Sequence, residues 1–188
     1  MSTHKGILAT VKDDVINAIE GSGDVAMAVV DTVASTLNTV IRDVGKVGSA
    51  GTQAIASVAS GVIHGASEVG SDLGTAAQGT VEGVLRGTRE TGKEALRTIR
   101  HTAASVIQST ADVGGDLALA AKGAVKGAVR AAQNLGITDE EAASAAAQGA
   151  IDAANEIGTV ASQRVRNAVS GTIAGTRIVF KENFRGTT

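Results

Sequence analysis

The chain has 188 residues, a formal net charge of −2 and a pI near 5.9, with no Pro, Cys, Trp or Tyr and only two Phe, Phe180 and Phe184. No disulfide framework is possible, the charge balance gives no electrostatic case for nucleic acid, and a core built on aromatic rings is excluded. Ala, Val, Gly, Thr and Ser dominate, and a chain without proline permits long helices.

From the N-terminus, Lys5 precedes the apolar run GILATV, but Lys12, Asp13 and Asp14 follow at once, so the segment is too short for a signal-peptide core. No stretch of about 18 apolar residues is apparent, and no transmembrane helix is expected. The expected location is cytoplasmic, with a place at the periphery of a membrane or lipid body as the alternative. EGSGD at 20–24 is the first candidate helix end, and a worn repeat copy begins there, DVAMAVV, closing on Arg42. GKVGSAGT at 45–52 is the second candidate end.

EVGSDLGTAAQGTVEGVLR at 68–86 and DVGGDLALAAKGAVKGAVR at 112–130 are plainly related, 44 residues apart. Between them, GTRETGKE at 87–94 spells most of a phosphate-binding loop. That motif needs Ser or Thr after the lysine, where Glu94 stands, and a buried strand before it, where VEGVLR stands. The expected reading is ordinary helix with solvated charges. NLGITDEE at 134–141 is the third candidate end, with Gly136 as C-cap and Thr138 with Glu141 as a capping box. A fourth copy starts with EIG at Glu156, and RIVFKENF closes the chain. Phe180 and Phe184 lie one turn apart there and form a candidate apolar anchor for a membrane, a partner or the end of an assembly.

Because 44 is four elevens, the underlying unit is sought at eleven residues. Sorting residue numbers by remainder after division by eleven gathers Val11, Val33, Ile55, Val58, Val81, Val125, Ile63 and Ile107 into remainders 0, 3, 4, 7 and 8. Between residues 7 and 180 these classes hold 80 positions, of which three are charged: Asp14, Asp139 and Glu140. An eleven-residue period makes three helical turns and keeps an apolar stripe nearly straight. The eleven-residue phase runs unshifted through all three candidate ends. The fold expected is therefore all-α: one very long amphipathic helix, kinked near 21–24, 45–52 and 136–138 and roughly 250 Å in extent. Antiparallel hairpins in a bundle are the alternative. The domain expectation is a single elongated repeat unit over 1–188, with super-repeats at 24–67, 68–111, 112–155 and 156–188.

Charge divides by the same sorting. Remainders 1 and 5, beside one edge of the apolar arc, hold Lys5, Lys12, Arg89, Lys93, Arg100, Lys122, Lys126, Arg166, Arg177 and Lys181, with one acid, Glu82. Remainders 2 and 6, towards the other edge, hold Asp13, Asp24, Glu68, Asp72, Glu90, Glu94, Asp112, Asp116, Glu156 and Glu182, with one base, Lys46. Parallel neighbours bring basic flank to acidic flank, whereas antiparallel neighbours bring like to like. A chain folding back on itself is taken to make antiparallel neighbours, so the charges favour separate parallel copies. Remainder 10, mostly Gly, Ala, Thr and Ser, allows close approach on the acidic side. Glycine costs roughly 0.8–1 kcal/mol relative to alanine in a helix interior. Burial of the stripe against sister chains or lipid is expected to offset the cost of 24 such residues.

Catalytic and metal chemistry find no footing: His4, His64 and His101 are scattered, there is no Cys, and His64 with Glu68 reads as a solvated pair. No enzyme activity, cofactor, metal or small-molecule substrate is expected. GVIHGASEVG and GTVEGVLRGTRETGKEALR resemble the eleven-residue units of synuclein-like, perilipin-like and apolipoprotein-like helices and of group 3 late-embryogenesis-abundant proteins. Those families imply lipid-surface binding or desiccation protection. The synuclein Lys-Thr-Lys-Glu-Gly-Val box is absent, its nearest pieces being Gly92-Lys93-Glu94 and Glu82-Gly83-Val84. The lysines that lipid binders carry along both edges of the apolar face are also missing. The favoured function is a structural scaffold whose parallel helices self-assemble into a tube, barrel or filament with an apolar face able to take lipid. A lipid-droplet or membrane coat and a stress protectant are the alternatives.

Overall fold

Eight helices and one small hairpin account for the described chain. The helices are α1 (Ser2–Ser22), α2 (Val25–Val44), α3 (Ser49–Glu68), α4 (Leu73–Thr88), α5 (Gly92–Asp112), α6 (Leu117–Ala132), α7 (Asp139–Ile157) and α8 (Thr159–Val169). Strands β1 (Thr172–Ile173) and β2 (Thr176–Arg177) pair antiparallel after them. The computed structural model describes residues 2–44 and 49–179, with side-chain surroundings for 6–42 and 51–179.

The all-α expectation holds, but the single long rod does not: the helices are packed in a bundle. Two of the reversals are built by one device. After α3, Gly70 takes φ +68°, its N–H donates to the Ser67 carbonyl at 3.1 Å, and the Ser71 N–H donates to that of Ala66 at 2.8 Å. After α5, Gly114 takes the same φ, with Gly114 N–H to Ala111 at 3.0 Å and Gly115 N–H to Thr110 at 2.8 Å. This paired closure satisfies the last carbonyls of a helix and requires the left-handed conformation that glycine adopts without a Cβ penalty. A new helix starts at once. Asp72 accepts from the Thr75 N–H at 2.6 Å, and Asp116 from the N–H groups of Ala118 at 2.8 Å and Leu119 at 3.2 Å. Gly23, also at φ +68°, and Asp24, accepting from the Met27 N–H at 3.1 Å, give the same residue types between α1 and α2.

Of the three expected kinks, the one at 21–24 is the α1–α2 reversal, and the one at 136–138 lies in the α6–α7 turn with Gly136 at φ +66° and the Thr138–Glu141 capping box formed. The α2–α3 connection at 45–48 lies outside the described residues. Reversals also stand at 69–72, 89–91, 113–116 and 158, where the eleven-residue phase predicts continuous helix. The eleven-residue phase stays unbroken because a pair of helices with its two turns recurs every 44 residues over the related segments, so phase survives a fold-back.

Alternate helices lie side by side in two layers, α1, α3, α5 and α7 in one and α2, α4, α6 and α8 in the other. Several of these next-but-one neighbours run parallel. Leu8 and Lys12 face Gly61 and Gly65; Ala26, Val30 and Ala34 face Gly79, Gly83 and Gly87; Gly74 and Gln78 face Gly123 and Gly127. The premise that a folded chain offers only antiparallel neighbours is therefore corrected: two successive reversals restore the original direction. The stripe finds its burial inside the same chain. Val11, Val33, Ile55, Val58, Ile63, Val81, Ile107 and Val125 are all buried, each side chain contributing about 1.5–3 kcal/mol when fully removed from water.

Packing is close because side chains at the seams are small. A Cβ on Gly61 would stand 2.8 Å from the Leu8 carbonyl oxygen, and one on Gly83 would stand 2.8 Å from Val33 Cβ. Buried hydroxyls at Thr80, Thr102 and Thr110 donate at 2.7 Å to the carbonyl four residues back in their own helix, so they need no partner across the seam. One 18-residue window, Val25–Arg42 in α2, is long and apolar enough to cross a membrane by length and composition, contrary to the expectation that no such segment exists. In the fold its Val29, Val33 and Leu37 are core residues.

Candidate interaction surfaces

The charged residues singled out from the sequence fall into three places. The first is the seam between parallel helices. Lys12 of α1 donates to Glu68 of α3 at 2.8 Å, a pairing of the two flanks within one chain. The Glu68 carboxylate bonded to it raises the Lys12 ammonium above its ordinary value, the direct hydrogen bond being the main cause and the charge attraction the next. Arg100 of α5 donates its Nε to Asp152 of α7 at 3.0 Å, and Gln108 donates to Glu156 at 3.1 Å. On the even layer, Arg86 of α4 reaches Asp31 of α2 at 3.2 Å.

The second place is the row of turns where odd helices end and even ones begin. Asp24, Asp72 and Asp116 are spent there on the first N–H groups of α2, α4 and α6, where a negative charge also suits the helix dipole. Glu68, Asp112 and Glu156 occupy the last turns of α3, α5 and α7 beside them. Three of the ten acidic-flank residues are thus caps, set by position along the helix as well as by angle around it. At the opposite row, Arg89 is the left-handed residue (φ 55°) that ends α4, and Lys93 and Glu94 open α5. GTRETGKE is consequently a helix–turn–helix junction and not continuous helix: Glu90 accepts from the Thr98 hydroxyl, and the Gly92 N–H donates to Leu135 at 3.0 Å. What precedes it is α4, with no strand to support a phosphate loop.

The third place is the outer surface of the C-terminal half. Lys122, Lys126 and Arg130 lie four residues apart on α6, all exposed, and Arg164 and Arg166 are exposed on α8. None of these is in an ion pair among the described residues. The sequence of α8, TVASQRVRNAV, offers no acid to them. Arg177 sits on β2. Phe180 and Phe184, the candidate anchor, lie outside the described residues.

The two ends of the helix array differ. At the C-terminal end the hairpin packs against α6 and α7, with Ile173 and Ile178 buried and the Val179 N–H donating to Ser144 of α7 at 3.3 Å. At the N-terminal end, Gly6, Thr10, Asp13, Asn17 and Gly21 form one exposed edge of α1, and a Cβ on Gly6 or Gly21 would meet nothing within 4 Å. Ile7, Ile19, Val25, Val40 and Ile41 pack against the core there but stay partly open. The glycine-and-acid register is legible in the sequence; that α1, the first helix of its layer, has no neighbour on that edge among the described residues is not.

His64 and Glu68 do not pair. The His64 Nδ1 lies 2.8 Å from the Ser60 carbonyl, while Glu68 is taken by Lys12. Among the described residues no three His, Cys, Asp or Glu side chains gather to hold a metal. A shallow depression of about 150 Å³ on the even layer is bordered by Asp24, Met27, Val30, Glu82, Arg86 and Arg130.

These features define an all-α protein of stacked, glycine-seamed helix pairs. No protein-family model, curated protein or solved structure matches the chain.

Proposed function

We propose that the protein is a non-enzymatic structural scaffold that associates with further copies of itself. The observation carrying this reading is the open N-terminal end. Within the chain, an edge of glycine and small residues flanked by acid receives the ridge of a parallel helix, as Gly61 and Gly65 receive Leu8 and Lys12. The edge of α1 running through Gly6, Thr10, Asp13, Asn17 and Gly21 has the same character and stands unoccupied among the described residues, beside half-buried Ile7, Val25 and Val40. Each layer of a stacked-helix protein is buried against the next, and a small-sided edge in the register that receives a helix elsewhere in this chain offers a seat for another layer. The assembly expected from flank charges is thereby kept as a proposal, while the flank rule itself operates first inside the chain, at Lys12–Glu68.

Size-exclusion chromatography with light scattering, combined with circular dichroism with and without liposomes, tests the reading. Helical particles heavier than 18.6 kDa without lipid support it. Helicity that develops only on liposomes would replace it with a lipid-coat function of the kind found in the perilipin-like and synuclein-like proteins. A chain unfolded in both conditions would favour a desiccation protectant.

A further inference from the structure

We infer that the open end of one copy is filled by the cationic face of α6 and α8 of a second copy, so that association is polar, head to tail. This rests on the self-association reading and specifies its interface. The open end is acidic: Asp13, Asp14 and Glu20 are exposed there, and none is in an ion pair among the described residues. Lys12, the nearest described cation on α1, is committed to Glu68. The C-terminal face is its complement, with Lys122, Lys126, Arg164 and Arg166 exposed and in no ion pair among the described residues.

The shape of the second surface has a local cause. In the even layer α2 and α4 each carry a full neighbour, α4 seating its glycines on Ala26, Val30 and Ala34 of α2, and α6 seating its own on Gly74 and Gln78 of α4. The last helix, α8, has 11 residues against the 16 of α6 and presents no glycine to it, and Lys122 and Lys126 remain exposed. Pairing two N-terminal ends would set Asp13 and Asp14 against their own copies, and the other layer's C-terminal helix, α7, is already covered by the hairpin. Two unlike surfaces that fit each other make a heterologous contact, which grows into a filament or closes into a ring.

Complementation of two variants tests this. Lys122→Glu/Lys126→Glu spoils only the cationic face, and Asp13→Lys/Asp14→Lys spoils only the acidic end; wild-type helicity by circular dichroism verifies that both fold. Each variant alone should associate at least about tenfold more weakly than wild type, since like charges then face each other. An equimolar mixture should assemble again, because the intact acidic end of one variant meets the intact cationic face of the other and the two reversed surfaces are again opposite in sign. If wild type assembles but either variant does so equally well, or the mixture stays monomeric, the head-to-tail interface is overturned while self-association stands. If wild type is monomeric at every concentration, the scaffold reading falls, and this interface with it.

Discussion

Replacing Gly149 by alanine puts the packing account at risk at a single methyl group. A Cβ there would stand 2.8 Å from the carbonyl carbon of Arg100 and 3.0 Å from its Cα, with the carbonyl oxygen closer still, whereas ordinary contact begins near 3.4 Å. The obstacle is backbone, so no rotamer change relieves it, and the α5–α7 seam has to open by about 1 Å to clear the carbonyl oxygen. Overpacking of this kind costs about 1–3 kcal/mol, and the better helix propensity of alanine returns up to about 1 kcal/mol. The net loss is about 1–2 kcal/mol, which lowers Tm by roughly 2–8 °C in a chain of this size. Gly6→Ala is the control, because its Cβ would meet nothing within 4 Å. It gains propensity alone and should raise stability by about 0.5–1 kcal/mol. Thermal unfolding followed by circular dichroism at low protein concentration reads both. If Gly149→Ala is as stable as wild type or more so, the parallel α5–α7 seam is not packed as described.

Asp116→Ala removes the acceptor for two N–H groups at the start of α6 and should cost about 1 kcal/mol by urea unfolding, whereas Asp112→Ala, one turn earlier and with no such duty, should change stability by no more than about 0.5 kcal/mol. The Lys12–Glu68 pair makes a pH prediction. Because the Lys12 ammonium is raised in the folded chain, its contribution is complete below the ordinary lysine value of 10.5 and is lost as pH rises through the raised one. Lys12→Gln should therefore lie slightly below wild type in stability at neutral pH and converge with it in strongly alkaline buffer. A difference that persists there would assign the effect to packing of the lysine stem.

Helix was legible from the sequence because charge stays off one set of positions, and many of the same residues, from Val11 to Val125, are core. The reversals were legible too, in principle. EVGSD and DVGGD each spell a left-handed glycine followed by a capping aspartate, the signal used to place the break at 21–24. They fall inside the best-matching repeat, where the eleven-residue phase predicts uninterrupted helix. Lys12 of the basic flank and Glu68 of the acidic flank meet within one chain, because two successive reversals make α1 and α3 parallel. Aspartates at 24, 72 and 116 looked like assembly residues because capping recurs with the period of the helix pairs. The bare edge of α1 had no sequence signal, since Gly6 and Gly21 differ from Gly61 and Gly65 only in having no neighbour.

Sedimentation equilibrium across a range of protein and salt concentrations tests the scaffold proposal most directly. Association through opposed charged ends predicts an average mass that climbs above 18.6 kDa with concentration and returns towards the monomer in about 1 M salt, where screening acts within about 3 Å. A single 18.6 kDa species at every concentration and salt level would contradict it.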